Sequence, residues 1–259
     1  MHKNLKSFLL AMQLLTRIPV SYQFDHHGND YKALCGRSVL SYPLVGLIIG
    51  CTLALVGMVF SHFFTSHYSE FIVAALILII WAMITGGLHL DGLADSADAW
   101  LGGFGDPVRT LEIMKDPRCG AAGVMVLVLV LLLKFVLISA VLSQSENSGL
   151  LYLILAPVLA RASIPVLFLY TPYARKGGMG SIPAEYMPKG AVKLVLIVLM
   201  LVSLLMIKNG FYILLGMGII FYLLRRMMIR RIGGMTGDTA GATVEIMECT
   251  VILFALMDF

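Results

Sequence analysis

Apolar stretches of bilayer length recur along this chain, separated by short polar connectors. The hydrocarbon core of a bilayer is ~30 Å thick and takes about 20 helical residues to cross. Seven stretches reach or approach that length, at 38–62, 70–88, 120–143, 149–171, 190–207, 210–224 and 242–258. No water is available there to satisfy backbone groups, so such spans are helical. The sixth is short and the seventh carries Glu245 and Glu248, which marks both as candidates for tilted, re-entrant or partly extramembrane segments. Residues 1–20 are basic and apolar, and Thr16-Arg17-Ile18-Pro19 closes them without a small-x-small cleavage pattern. They predict a retained interfacial or membrane-dipping helix, not a signal peptide. The expected fold is all-α: a polytopic membrane bundle of about seven transmembrane helices plus that N-terminal helix, in a single domain over residues 1–259.

Composition agrees with this picture. The chain is 59% hydrophobic and only 13% charged, with a mean hydropathy of +0.91, which excludes an ordinary soluble domain. The net charge of +4 resides largely in connectors, where basic residues report orientation rather than nucleic-acid binding. Lys3, Lys6, Arg17, Lys32 and Arg37 precede the first span; Arg109, Lys115 and Arg118 follow the second; Arg175, Lys176, Lys189 and Lys193 follow the fourth; Arg225, Arg226, Arg230 and Arg231 follow the sixth. The opposite connectors, 62–69, 143–149 and 208–210, hold Lys208 alone. This asymmetry places the N-terminus and the three longer connectors in the cytoplasm, and seven spans put the C-terminus on the far side. Cys35, Cys51, Cys119 and Cys249 show no CxxC spacing and read as small buried apolar residues. No internal repeat supports a transporter-like symmetry.

Against this apolar background, Gly86-Gly87-Leu88-His89-Leu90-Asp91-Gly92-Leu93-Ala94-Asp95-Ser96-Ala97-Asp98-Ala99 stands apart. As a helix it sets Asp91, Asp95 and Asp98 at i, i+4 and i+7, on one face within two turns. Like charges so close repel unless a cation neutralises them. Six of the fifteen acidic residues, Asp91, Asp95, Asp98, Asp106, Glu112 and Asp116, fall between 91 and 116, several times the share that chance gives. Leu93, Ala94, Ala97, Ala99, Trp100 and Leu101 supply an opposite, apolar face that docks on the membrane domain. Oxygen ligands without thiolates or a close histidine pair suit Mg²⁺, which binds one or two carboxylates together with substrate phosphates.

Two further clusters follow. In Leu111-Glu112-Ile113-Met114-Lys115-Asp116-Pro117-Arg118-Cys119-Gly120, Pro117 ends a helix, Arg118 offers a planar donor fork, and Gly120 to Gly123 open the next span with free amides. This can cradle a phosphate, or it can be an ordinary basic connector before a glycine-rich helix start. In Gly233-Gly234-Met235-Thr236-Gly237-Asp238-Thr239-Ala240-Gly241-Ala242, Asp238 and the later Glu245 are i and i+7, again on one helical face. Glu245, at membrane depth, requires a metal or a basic partner. Lys134 and Arg161 lie inside spans and must face the protein interior or a wet cavity; Lys134 reads as structural, and Arg161 as either an anion contact or a salt bridge. Arg175 to Ser181 is compatible with a cationic lid or a plain loop. His89, two residues before Asp91, is a substrate contact or a satisfied structural histidine, and His26 and His27 are too isolated to be ligands.

Taken together, residues 86–99, 111–120 and 233–242, with Leu14-Leu15-Thr16-Arg17-Ile18-Pro19-Val20 and Tyr42-Pro43-Leu44-Val45-Gly46, resemble the cobalamin synthase family, also called adenosylcobinamide-GDP ribazoletransferase. The resemblance spans nearly the whole chain. It implies a Mg²⁺-dependent enzyme of the bacterial inner membrane, its site facing the cytoplasm, that performs the last joining step of the corrinoid nucleotide loop. The adenosylcobinamide phosphoryl unit would pass from adenosylcobinamide-GDP to α-ribazole or its 5′-phosphate, with release of GMP. In that scheme Asp91, Asp95, Asp98 and Asp238 are expected to hold the metal. Asp95 or Asp98 serves as proton acceptor, and Lys115, Arg118 and Arg161 supply positive charge. His89, Glu112, Asp116, Gly120 and Glu245 are the remaining candidate substrate contacts. The partners are these substrates and the lipid bilayer, with no nucleic acid and a homo-oligomer left open. Two other readings make distinct demands. A CDP-alcohol phosphotransferase needs an Ala-Arg pair after Asp-Gly and a later Gly-x3-Asp-x3-Asp pattern, which residues 91–99 do not continue. A cation transporter needs carboxylates near the mid-depth of several spans.

Overall fold

The structure, a computed structural model, describes residues 3–22, 24, 28–64, 69–144, 148–175, 177–178 and 180–257. His26, His27 and Lys176 lie outside the described residues. The described chain is helical, with one isolated parallel bridge between Tyr173 and Met235. α1 (Lys3–Leu15) buries Leu10, Ala11, Met12 and Leu15 and packs on α2 (Asn29–Ser38), which passes through a 3₁₀ turn (Val39–Ser41) into α3 (Tyr42–Phe63). There follow α4 (Ser69–Thr85), α5 (Leu88–Gly102), α6 (Pro107–Ile113), α7 (Ala121–Leu142), α8 (Ser148–Tyr170), α9 (Ser181–Tyr186), α10 (Lys189–Met206), α11 (Gly210–Ile232) and α12 (Gly237–Ala255).

Packing explains which helices face lipid. α3 and α8 pair at backbone contact: a Cβ at Gly46 would lie 2.4 Å from the Pro157 carbonyl oxygen, and one at Gly50 would lie 2.6 Å from Ile154 Cα. Small residues that permit such approach are what hold helices together in lipid, where apolar side chains gain nothing by leaving the solvent. The outer faces of α7 (Val124, Val128, Leu129, Leu132) and α10 (Leu194, Ile197, Leu201, Leu205) are apolar and exposed, a pattern stable only in hydrocarbon. α12 is the opposite case, buried along nearly its whole length by α5, α7, α8 and α11.

The structure corrects the expected spans in three places. The 70–88 stretch stops at Thr85, because Gly86 (φ 62°) and Gly87 (φ 69°) turn the chain by 87° into α5; both angles lie in the left-handed region that glycine enters without steric penalty. The sixth stretch, expected at 210–224, continues to Ile232 and takes in Arg225, Arg226, Arg230 and Arg231. The seventh, expected at 242–258, begins at Gly237, where the Thr236 side chain caps the helix and Thr239 returns the bond in a capping box. Among the described residues, five helices are long and apolar enough to cross a membrane, six if the bent α4–α5 pair counts as one span. α12 is not among them, because Asp238, Glu245 and Glu248 make it too polar to meet lipid, and the bundle shields it instead. The protein is a multi-pass all-α membrane protein.

Candidate functional site

The α4–α5 bend lays the acidic helix across one end of the bundle. The ends of α4, α8 and α11 and the starts of α7 and α12 all meet there. The Arg17 amide donates to the Ile84 carbonyl at 2.7 Å, which ties the N-terminal segment to the same end. α5 and α12 touch at Gly92, where a Cβ would stand 2.6 Å from the Asp238 carbonyl oxygen and 3.0 Å from its Cα. Any larger residue would separate the helices, so Gly92 is what brings the acidic face of α5 to Asp238. Asp91 is exposed, whereas Asp95 and Asp238 are half-buried. Partial burial, then the carboxylates of Asp91, Asp238 and Asp98, push the Asp95 carboxyl up from 3.8 to about 6, with Arg175 pulling the other way.

Asp98 occupies a different position from its neighbours. Its Oδ2 accepts the Gly120 amide at 2.7 Å and its Oδ1 accepts the Gly123 amide at 2.8 Å. The amides expected to cradle a phosphate are therefore satisfied by a carboxylate of the protein itself, placed where the helix dipole favours negative charge. A Cβ at Gly120 or Gly123 would fall 2.5 Å from an Asp98 oxygen, so these glycines make room for the cap. Asp106, also in the acidic stretch, caps α6 by accepting the Val108 amide.

A polar cavity of about 390 Å³ opens beside the carboxylates, lined by Arg17, Gly86, Gly87, Asp91, Asp95 and Cys119 among others. Desolvation, followed by the charges of Asp98, Asp95 and Asp91, raises the Cys119 thiol above its usual value and keeps it protonated. Among the described residues no group of three or more His, Cys, Asp or Glu side chains closes on a common point as a metal cage. The donor set nevertheless fits Mg²⁺, which takes one or two carboxylates and completes its shell with water and phosphate oxygens. The raised Asp95 carboxyl marks charge that nothing on the protein fully offsets.

The remaining candidates fall into two groups. Glu112, near the end of α6, and Lys115 and Arg118, on the α6–α7 connector, are exposed. Arg118 forms an ion pair with Asp116 at 2.6 Å and holds that carboxyl down to about 2, so it does not line the acidic cavity as expected of an anion contact. Glu245 and Arg161 lie inside the bundle, not at the cavity. Lys134 Nζ sits 2.5 Å from both Glu245 and Glu248 and 4.4 Å from the Trp81 ring centroid, while Arg161 pairs with Glu248 at full burial. Both buried acids lie on α12 alone, not on several spans as a transporter would need, and Arg161 meets Glu248 in the salt-bridge arrangement. His89 is 3% exposed, packed beside Gly241, with no hydrogen-bond partner on either ring nitrogen.

Two further basic residues reach the site: Arg175, from the connector open to reading as a cationic lid or a plain loop, and Arg17, expected only to mark orientation. Arg175 meets Asp238 at 3.1 Å. The bridge that pairs Ala174 N with Met235 O and Met235 N with Pro172 O, each at 2.8 Å, holds it there. Arg17 lines the acidic cavity. Neither pairing is visible in sequence spacing, since each joins segments that lie tens of residues apart.

These features define a multi-pass α-helical membrane protein with a carboxylate site at one end of its bundle. The chain belongs to the cobalamin-5-phosphate synthase family, whose profile matches residues 7–256. It is a transferase of cobalamin biosynthesis. A protein of Stutzerimonas stutzeri (strain A1501) named adenosylcobinamide-GDP ribazoletransferase is 46% identical over 245 residues, covering 95% of each chain. Proteins of the same name from Pseudomonas putida (strain KT2440) and Pseudomonas aeruginosa (strain PAO1) are 48% identical over 246 residues and 47% identical over 253 residues. They cover 95% and 98% of this chain, and 96% and 98% of their own length. No solved structure matches the chain.

Proposed function

We propose that the protein transfers the adenosylcobinamide phosphoryl unit from adenosylcobinamide-GDP to α-ribazole or α-ribazole 5′-phosphate, releasing GMP, with Mg²⁺ as cofactor and the site facing the cytoplasm of a bacterial inner membrane. The name shared by the relatives supports the substrates. The basic N-terminus and the three basic connectors support the orientation. The observation that carries the chemistry is Asp95, half-buried amid the charges of Asp91, Asp98 and Asp238, with its carboxyl pushed up to about 6.

Mg²⁺, when bound, would neutralise charge on the diphosphate and on departing GMP. Asp91 and Asp238, on facing elements, are the residues suited to hold it. In the transfer a ribazole hydroxyl oxygen bonds to the phosphorus attached to the corrinoid side, the bond to GMP breaks, and the hydroxyl proton needs an acceptor. Asp95 suits that role because its carboxyl titrates near neutrality. Asp98, both of whose oxygens already accept backbone amides, orients α5 against α7 instead. Glu112, Lys115, Asp116 and Arg118, at the rim, are placed for looser contact with a large substrate.

The test is incubation of the purified protein in lipid nanodiscs with adenosylcobinamide-GDP, α-ribazole and Mg²⁺, followed by analysis for cobalamin and GMP. Both products are expected, and chelation should abolish them. Folded protein that yields neither would sink the assignment. Asp91→Ala and Asp95→Ala should each lower turnover by at least about 100-fold while the protein still inserts, since even groups that only support a metal ligand cost 10–100-fold when removed.

A further inference from the structure

We infer that Arg17 binds a phosphate group of a substrate in the cavity it shares with Asp91 and Asp95. The inference rests on the reading of the chain as a transferase acting on a diphosphate, and it assigns a role to a segment outside the acidic helix.

The backbone around Arg17 is held on both sides. Thr16 closes α1 through its amide and hydroxyl, which donate to the Met12 carbonyl at 3.0 and 2.7 Å, and the Thr16 oxygen accepts the Ile18 amide at 3.3 Å. The Arg17 amide is tied to Ile84 at the end of α4. Its side chain then lies flat on Gly86: a Cβ at that position would fall 2.2 Å from Arg17 Cγ, 2.5 Å from Nε and 2.9 Å from Cδ. Gly86 thus serves the bend and also leaves the space that the arginine stem occupies.

What the guanidinium lacks is a partner. Arg118 pairs with Asp116, Arg175 with Asp238 and Arg161 with Glu248; Arg37 bonds Asn4, and Arg225 bonds the Tyr170 carbonyl. Arg17 is exposed and forms no ion pair or side-chain hydrogen bond among the described residues; Arg226 and Arg230 share that trait, but only Arg17 of the three lines the cavity with two carboxylates. A positioned guanidinium presents five donors in a planar fork that matches phosphate oxygens bidentately. A diphosphate drawn to the carboxylates through a cation needs positive charge on its remaining oxygens, and Arg17 stands where that charge is required. The phosphate can be the diphosphate of the donor or the 5′-phosphate of a phosphorylated acceptor.

The test measures KM for adenosylcobinamide-GDP, α-ribazole and α-ribazole 5′-phosphate in Arg17→Gln and Arg17→Lys enzymes, with melting temperatures alongside. Arg17→Gln should melt as wild type does and raise KM about tenfold or more for a phosphate-bearing substrate, the loss expected for a hydrogen-bonded charge pair. Arg17→Lys should recover part of it. A rise for adenosylcobinamide-GDP identifies the diphosphate as the group bound. A rise for α-ribazole 5′-phosphate, with none for α-ribazole, identifies the acceptor phosphate. Unchanged KM for both phosphate-bearing substrates, or a fall in kcat alone, overturns the inference.

A glycine pair checks the same point without altering charge. Gly86→Ala and Gly87→Ala both place alanine at positive φ, but a Cβ at Gly87 meets nothing within 4 Å. Only Gly86→Ala displaces the arginine, so its KM should rise well above that of Gly87→Ala; equal values count against Arg17. If the wild-type protein turns over none of these substrates, the proposed function fails. If wild type turns over and Arg17→Gln matches its KM values, this inference alone fails.

Discussion

Asp98 closes the N-terminus of α7 with both of its oxygens, one on the Gly120 amide and one on the Gly123 amide. The bond pair also clamps α5 to the bundle, because cap and capped helix are separate elements. Asp98→Ala should therefore cost about 1–2 kcal/mol, the loss expected for a helix cap. Thermal melting in detergent reads that cost. Turnover should fall with it, since α5 carries Asp91 and Asp95. An unchanged melting temperature would show that the cap contributes nothing.

Gly92→Ala tests the contact between α5 and α12. The added methyl meets backbone, not a flexible side chain, 2.6 Å from the Asp238 carbonyl oxygen. Overpacking of this kind costs about 1–3 kcal/mol. The helices should move apart, separating Asp95 from Asp238, and turnover should fall further than the loss of stability alone explains. Wild-type turnover in a folded Gly92→Ala protein would show that the site does not need the two helices in contact.

Asp95 gives the protein a stability that depends on pH. Its folded-state carboxyl titrates at about 6 and its ordinary value is 3.8, so the folded chain holds the proton more tightly than the unfolded chain. The favourable contribution is present in full below 3.8 and is lost as pH rises through about 6. Without divalent cations, Asp95→Asn should melt above wild type, by a margin that widens from about pH 4 to about pH 7. Mg²⁺ should narrow that margin by offsetting the ionised carboxylate. A margin independent of pH would place Asp95 outside the repulsive cluster.

Within the bundle, Glu248 meets both Lys134 and Arg161, whereas Glu245 meets Lys134 alone. Removing one partner of a buried pair leaves an uncompensated charge and costs about 3–5 kcal/mol. Glu248→Gln should lie at the upper end of that range and Glu245→Gln at the lower end. Replacing Lys134 by Met together with Glu245→Gln should recover part of the loss, which a double-mutant cycle on melting curves would measure.

Much of this architecture was legible from hydrophobic length alone, because lipid leaves a chain few options. The helical spacing of Asp91, Asp95 and Asp98 was legible too, since it depends only on the 3.6-residue period. That Asp98 turns to cap α7, leaving Asp91 and Asp95 at the cavity, was not. The spacing sets the face of a helix, but the neighbour on each part of that face comes from tertiary packing. The same holds for Arg161, whose partner lies 87 residues away, and for Arg17, which meets the cavity only because two glycines swing α5 back towards it. The bend itself had a visible signal in Gly86-Gly87, though apolar residues on both sides concealed it within a longer run.

The buried charges also bear on how the protein is made. α7 carries Lys134, α8 carries Arg161 and α12 carries Glu245 and Glu248, each a charge that lipid disfavours, and the four sum to zero inside the bundle. α12 is the last of these to leave the ribosome, and it brings Asp238 with it. The helix that neutralises the two buried cations is also the one that carries Asp238, so the electrostatic balance of the bundle and the completion of the carboxylate site depend on the same element.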